Sequence, residues 1–238
     1  MAREASKHLI LLPGLLCDED LWRDQLVALR GFVECRVADL TRQSTLAALA
    51  TELLAEAPAT FALAGFSFGG YVAQEVMRQA PERVERLCLL DTSTRSDTPE
   101  RAAQRKAMLQ AAKMPGAFKG IADRLLPTFI HPDRLADAAL VERIKTMTMR
   151  VGRDVFLVQS AMERLDGEDV LRSLSCPASI ICGDQDVLTP LSDHRAMAAL
   201  VPDARLTVIA NSGHMTPMEQ PEAVSAALHT WLEQSDDR

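Results

Sequence analysis

Phe61–Ala73, FALAGFSFGGYVA, sets a single serine, Ser67, among small and apolar residues where a β-like run gives way to a helix-like one. Thr60–Gly65 has strand length and is nearly all apolar. After it, Val72, Ala73, Val76, Met77 and Ala80 recur at helical spacing and make one apolar face. Gly65, Ser67 and Gly69 match G-x-S-x-G, a pattern whose chemistry requires the serine to occupy a sharp strand-to-helix turn. Such a turn crowds the backbone, so a side chain at 65 or 69 would collide with the neighbouring strand or helix. Gly70 lets the helix approach the sheet. The start of that helix presents free N–H groups and partial positive charge, which favour an oxyanion beside Ser67. The plainer reading, a serine that caps a helix, leaves three glycines in six positions unexplained.

A serine hydroxyl is a weak nucleophile at neutral pH, so it needs a base within hydrogen-bonding reach and a third group to orient that base. Five histidines are available. His8 opens a strand, His131 and His194 sit in polar surroundings expected at exposed positions, and His229 lies in the last amphipathic helix. His214, in NSGHMTPMEQP (211–221), follows a predicted final strand on a loop, where sheets of this kind place catalytic groups. For the orienting acid, IICGDQDVLTP (180–190) offers Asp184 and Asp186 at a strand exit. Asp186 is preferred because it lies deeper in the loop, whereas Asp184 follows Gly183 directly and can simply close the turn. Asp91, at the end of another strand, is a third candidate. The order Ser67, Asp186, His214 is the one expected of an α/β-hydrolase arrangement.

Outward from this motif, six strand candidates (8–12, 35–40, 60–65, 86–91, 178–183 and 205–210) alternate with helical segments (21–29, 45–56, 69–79, 192–200 and 222–233). All the strands but the second are nearly continuous apolar runs, as in a mostly parallel sheet covered by helices on both faces, so the fold class is α/β. The rhythm breaks between 95 and 175, a charged stretch carrying Met108, Met114, Met147, Met149 and Met162. It reads as an insertion of short helices divided by Pro115, Pro127 and Pro132. Its methionines either line a pocket or fill gaps between helices and sheet.

The chain has 238 residues, 47% of them hydrophobic, enough for one large domain with a substantial core. A net charge of −7 argues against a sequence-independent grip on nucleic acid. No run of about 18 apolar residues exists to span a bilayer, and MAREASKHLILLPG (1–14) has only a strand-sized apolar stretch. A cytoplasmic location is expected. Cys17, Cys35, Cys88, Cys176 and Cys182 are odd in number and form no CxxC pair, so neither a zinc site nor a disulfide framework is expected. Cys88 and Cys182 read as small buried hydrophobes, while Cys17 follows a glycine turn that can border the site.

GFSFGG (65–70), GDQDVLTP (183–190) and NSGHMTPMEQPE (211–222), in that order, resemble the nucleophile, acid and histidine loops of the α/β-hydrolase superfamily across nearly the whole chain. The resemblance implies a core of residues 1–94 and 176–238 and a helical cap at 95–175 covering the site. It implies that LLPGLLCDEDLW (11–22) is the loop holding one oxyanion amide, here Leu15, with Phe68 supplying the other. Pro13 stands where relatives commonly have a histidine, and DLTRQST (39–45) replaces a glycine-rich loop. The expected activity is cofactor-free hydrolysis of a carboxylic ester of a small molecule through a Ser67–His214–Asp186 triad and an acyl-enzyme. Acyl transfer, lyase chemistry, perhydrolysis, or slow turnover in a ligand receptor are the alternatives that the same triad allows. Phe66, Phe68, Trp22 and Phe129 are the aromatic candidates for the pocket, core packing being the competing role.

Overall fold

The apolar runs lie side by side in one sheet. In a computed structural model, which describes residues 7–114, 116 and 118–234, the strands are β1 (His8–Leu12), β2 (Glu34–Val37), β3 (Phe61–Phe66), β4 (Val84–Leu90), β5 (Ala178–Gly183) and β6 (Arg205–Ile209). Their order is β2-β1-β3-β4-β5-β6, and every neighbouring pair is parallel. The helices are α1 (Arg23–Ala28), α2 (Leu46–Glu56), α3 (Phe68–Gln79), α4 (Pro99–Lys113), α5 (Leu126–Phe129), α6 (Ala138–Val151), α7 (Arg153–Ala161), α8 (Glu168–Arg172), α9 (Leu191–Leu200), α10 (Thr216–Glu219) and α11 (Pro221–Glu233).

Side-chain alternation along the strands builds two cores, one on each face of the sheet. Ile10, Leu12, Leu63, Leu87 and Ile180 pack with Leu49 and Leu53 of α2, Val72 and Val76 of α3 and Met197 of α9. Leu9, Leu11, Ala64, Cys88 and Ile181 pack with Val224, Leu228 and Trp231 of α11 and with Ile144 and Met147 of α6. Burying a Leu, Ile or Val contributes about 1.5–3 kcal/mol, against about 0–1 kcal/mol for an exposed ion pair. The two apolar layers therefore govern stability, and pairs such as Arg172–Glu168 do not.

Strands β3 and β5 are buried along their whole length, as their composition requires. Strand β6 departs from the expected burial on both faces: Arg205 is exposed and Val208 is 41% exposed. The reason is position, since β6 pairs only with β5 and forms an edge. Strand β2, the other edge, stops at Val37 instead of reaching 40. Beyond it, Asp39 accepts bonds from the Thr41 amide and hydroxyl (2.9 and 2.6 Å) and turns the chain away.

Residues between β4 and β5 form α4 to α8 with short connections. Pro127 and Pro132 stand at helix starts, where proline lacks no needed donor. The break expected at Pro115 lies outside the described residues. Of the five methionines in this stretch, Met147 and Met162 are buried in the cores, while Met108, Met114 and Met149 are 48–62% exposed. Among the described residues, no helix is long and apolar enough to cross a membrane.

Backbone approaches backbone closely at the start of α3. A Cβ added at Gly69 would lie 2.5 Å from the Leu12 carbonyl oxygen and 2.7 Å from that of Pro13, and one at Gly65 would lie 2.6 Å from the Gly69 oxygen. These are backbone neighbours that cannot swing aside. Gly69→Ala is expected to lower the unfolding free energy by about 1–3 kcal/mol, the usual range for overpacking. Urea titration of the variant beside the wild type measures it, and an unchanged midpoint would contradict the close approach.

Candidate active site

Ser67 sits between β3 and α3 with φ 50° and ψ −112°, a left-handed conformation unusual for a residue with a side chain. Bonds on both sides hold it there. Its N–H donates to the Leu90 carbonyl at the end of β4 (2.9 Å), and its carbonyl accepts from the Thr92 hydroxyl (2.7 Å) and the Gly70 amide (2.9 Å). The Ser67 side chain makes no capping bond to α3, so the plainer reading of an N-cap serine does not describe it. Its hydroxyl instead lies 2.9 Å from Nε2 of His214.

His214 occupies the loop after β6 and is 4% exposed. Its Nδ1 lies 2.7 Å from Oδ2 of Asp186. A carboxylate can only accept a hydrogen bond, so Nδ1 carries the hydrogen and donates it, which leaves Nε2 free to accept from the serine hydroxyl. Three of the predicted residues, 67, 186 and 214, are thus brought into one hydrogen-bonded line from three separate loops at the carboxyl ends of strands.

The two aspartates at the exit of β5 and the one after β4 separate clearly. Asp186 also accepts from the Leu188 and Thr189 amides (2.8 and 3.0 Å) and the Thr189 hydroxyl (2.6 Å). Burial alone would raise its pKa, but the His214 ring and these bonds outweigh burial and hold it down to about 2. Asp184 accepts from the Ser212 amide (3.1 Å) and ties the histidine loop to β5. Asp91 is fully buried, accepts from the Gly183 amide (3.0 Å) and is bonded to the Thr216 hydroxyl. Burial, and then the negative charge of Asp186, push the Asp91 carboxyl well above the ordinary carboxylate value. The two neighbouring carboxyls are pushed in opposite directions, the one bonded to His214 down and the fully buried one up.

The loop after β1 reaches the same place. A Cβ on Gly14 would come within 3.4 Å of the Ser67 Cβ. The Cys17 amide donates to the Gly14 carbonyl (3.1 Å), closing a turn through Leu15 and Leu16, with Leu16 at φ 59°. Phe68 is the first residue of α3, so its amide points out of the helix end with no partner in the preceding turn. Cys17 borders this loop as expected, but it is 4% exposed and burial pushes its thiol up to about 12, which leaves it a packing residue. Of the four aromatic candidates, Phe66 and Phe129 lie against the His214 ring (centroids 5.3 and 6.2 Å away). Trp22 stacks edge-on behind Phe66, and Phe68 packs into the core.

His131 and His194 correct the sequence reading, being 4% and 0% exposed. His194 accepts the Thr92 amide at Nε2 (3.1 Å) and faces the Pro190 carbonyl with Nδ1 (3.2 Å), so it is a neutral ring that joins the loops after β4 and β5. Burial first of all lowers its pKa. Their polar sequence neighbours misled because such neighbours as Asp133 and Arg195 are exposed while the rings themselves turn inward.

Sequence reasoning missed Glu219. It is 0% exposed and its Oε1 accepts from the amides on both sides of His214, Gly213 (2.9 Å) and Met215 (3.0 Å), while Oε2 accepts from the His131 amide (2.6 Å). The signal was a lone acid in the otherwise uncharged run MTPMEQP. Among the described residues, no group of three or more His, Cys, Asp or Glu is arranged to hold a metal ion.

Comparison with known proteins follows the same lines. The pimeloyl-[acyl-carrier protein] methyl ester esterase of Neisseria meningitidis serogroup B is 26% identical over 236 residues, covering 96% of this chain and 89% of that protein. The putative non-heme bromoperoxidase BpoC of Mycobacterium tuberculosis is 29% identical over 183 residues, 74% of this chain and 69% of that one. Among solved structures, a thermophilic esterase from Thermogutta terrifontis superposes with a TM-score of 0.82 at 26% identity, covering 98% of this chain and 91% of that one. The enol-lactonase from Burkholderia xenovorans LB400, at 19% identity and a TM-score of 0.85, shares the fold. The model of the alpha/beta hydrolase family matches residues 9–227, and the chain belongs to that family.

Proposed function

We propose that the protein hydrolyses a carboxylic ester of a small molecule, with Ser67 as nucleophile, His214 as base and Asp186 as the group that orients His214. The observation that carries this reading is the hydrogen-bonded line Ser67–His214–Asp186, at 2.9 and 2.7 Å. The esterase names of the Neisseria and Thermogutta proteins point the same way.

In the first half-reaction His214 Nε2 takes the Ser67 proton as Oγ attacks the ester carbonyl carbon, and Asp186 stabilises the imidazolium. The carbonyl π pair moves onto oxygen, where the amides of Phe68 and Leu15 receive it. One such donor is typically worth about 3 kcal/mol in the barrier. Collapse of this intermediate expels the alkoxide, which takes the proton from His214 and leaves an acyl-Ser67. In the second half, His214 deprotonates water for attack on the acyl carbon, and the acid departs with Ser67 restored. We assign residues 95–175 the role of a cap over this centre, and residues 1–94 and 176–238 that of the core. The small apolar cluster that joins Leu16 to Ala112 of α4 and Phe156 of α7 supports that division.

Two outcomes test this reading. Ser67→Ala is expected to lose at least about a thousandfold in kcat on short p-nitrophenyl esters, as removal of a triad nucleophile does; undiminished turnover would sink the assignment. The second concerns acid. A carboxylate held below its ordinary value of 3.8 contributes stability that is fully present above that value and lost as pH falls from 3.8 toward about 2. Urea midpoints followed through that window should fall more steeply for the wild type than for Asp186→Asn. Parallel curves would show that Asp186 is not the charged partner.

A further inference from the structure

We propose that Gln159, on α7 between β4 and β5, is a positioning residue that sets the backbone of the Leu15–Leu16 loop, and so the geometry of one of the two oxyanion amides. The inference rests on the assignment of Leu15 above, and it gives the inserted helices a part in the chemistry beyond cover.

Gln159 is 1% exposed. Its Oε1 accepts from the Leu16 amide (3.4 Å), one residue beyond the proposed oxyanion donor, and its Nε2 donates to the Leu40 carbonyl in the loop after β2 (2.9 Å). Both ends of the side-chain amide are engaged in opposite senses. A flipped amide would set NH2 against the Leu16 N–H and oxygen against the Leu40 carbonyl, so its two partners fix its orientation. The Leu16 segment needs such a hold. Leu16 is a non-glycine residue at φ 59°, a conformation that persists only where surrounding contacts over-determine it. Local bonding supplies one hold, from the Cys17 amide to the Gly14 carbonyl. The Cys17 thiol adds a contact to the Leu15 carbonyl (3.5 Å), Gln159 supplies the polar hold from outside the loop, and the packing of Leu16 with Ala112 and Phe156 adds an apolar one.

The same residue is tied toward the second oxyanion amide. The Gln159 carbonyl accepts from both terminal nitrogens of Arg164 (3.3 Å each), and the Arg164 guanidinium lies over the Phe68 ring, 4.8 Å from its centroid. Gly14 stands close against Ser67, so a shift of the loop is felt at the reacting atoms, where a displacement of about 1 Å can cost a hundredfold in rate.

Two variants, Gln159→Met and Gln159→Glu, test this. The first has similar length and bridges nothing. The second keeps an acceptor for the Leu16 amide and loses the donor to Leu40. Active sites are counted by release of p-nitrophenol from a p-nitrophenyl phosphonate, so that unfolded enzyme does not count. Kd is then measured for an alkylboronic acid, which mimics the tetrahedral intermediate, and for the acid product. The expected result for Gln159→Met is a loss of about ten- to a hundredfold in kcat per titrated site. KM and product affinity should stay within about twofold, and boronate affinity should fall in proportion to kcat. Gln159→Glu should lose less. If Gln159→Met does not fold, Gln159→Glu is judged by the same proportion between kcat and boronate affinity. Wild-type kcat per site in the folded variants, or a kcat loss with boronate affinity unmoved, would overturn the proposal. Failure of the phosphonate to react with Ser67 of the wild type would instead bring down the hydrolase reading on which it rests.

Discussion

The backbone at Ser67 must take a left-handed conformation that an ordinary chain avoids, and the surrounding structure is arranged to hold it. The Leu90 carbonyl and the Thr92 hydroxyl grip the peptide groups on either side, which ties the serine to the end of β4. Gly65 and Gly69 allow α3 to start directly against the ends of β1 and β3, closer than any side chain permits. A parallel sheet with β3 near its centre makes this possible, because the carboxyl ends of β1, β4 and β5 all lie on the same side as the turn. Strain at one residue is thereby supported by the two apolar cores. In return Ser67 projects its hydroxyl toward His214 instead of capping the helix.

Behind the serine, the polar groups are buried and each has a partner that limits what it can do. Asp186 is held low because His214, Thr189 and the Leu188 amide surround it, whereas Asp91 is pushed up by burial and then by the charge of Asp186. Of the two, Asp186 is the one bonded to the histidine ring. Glu219 serves the loop from the other side, gathering the amides before and after His214. Its own carboxyl is raised above the ordinary value by burial first of all. These are costly groups to bury, and the network that satisfies them leaves the histidine loop few alternative positions.

Much of this was legible in the chain. Continuous apolar runs mark β1, β3, β4 and β5 because strands buried on two faces have no polar side to show. The Gly-x-Ser-x-Gly turn, the acid after β5 and the histidine after β6 were legible because each lies just past a strand, where only loops can carry them. The edge character of β6 was not, since Leu206, Val208 and Ile209 read as core until the pairing is known. The burial of His131 and His194 was hidden for a related reason. The His131 ring meets the Gln185 side chain and the His194 ring the Thr92 amide, partners far away in the chain that only the fold brings together. Gln159 shows the limit most clearly: its partners, Leu16 and Leu40, stand 143 and 119 residues away, and no local pattern links them.

The most direct measurement of the central claim is a crystal structure of the protein trapped with an acyl group from a slowly hydrolysed ester. The account predicts a covalent bond to the Ser67 Oγ, with the acyl oxygen about 2.7–3.1 Å from the amides of both Leu15 and Phe68. An unmodified Ser67 beside an acyl group carried elsewhere, or an acyl oxygen turned away from those two amides, would contradict it.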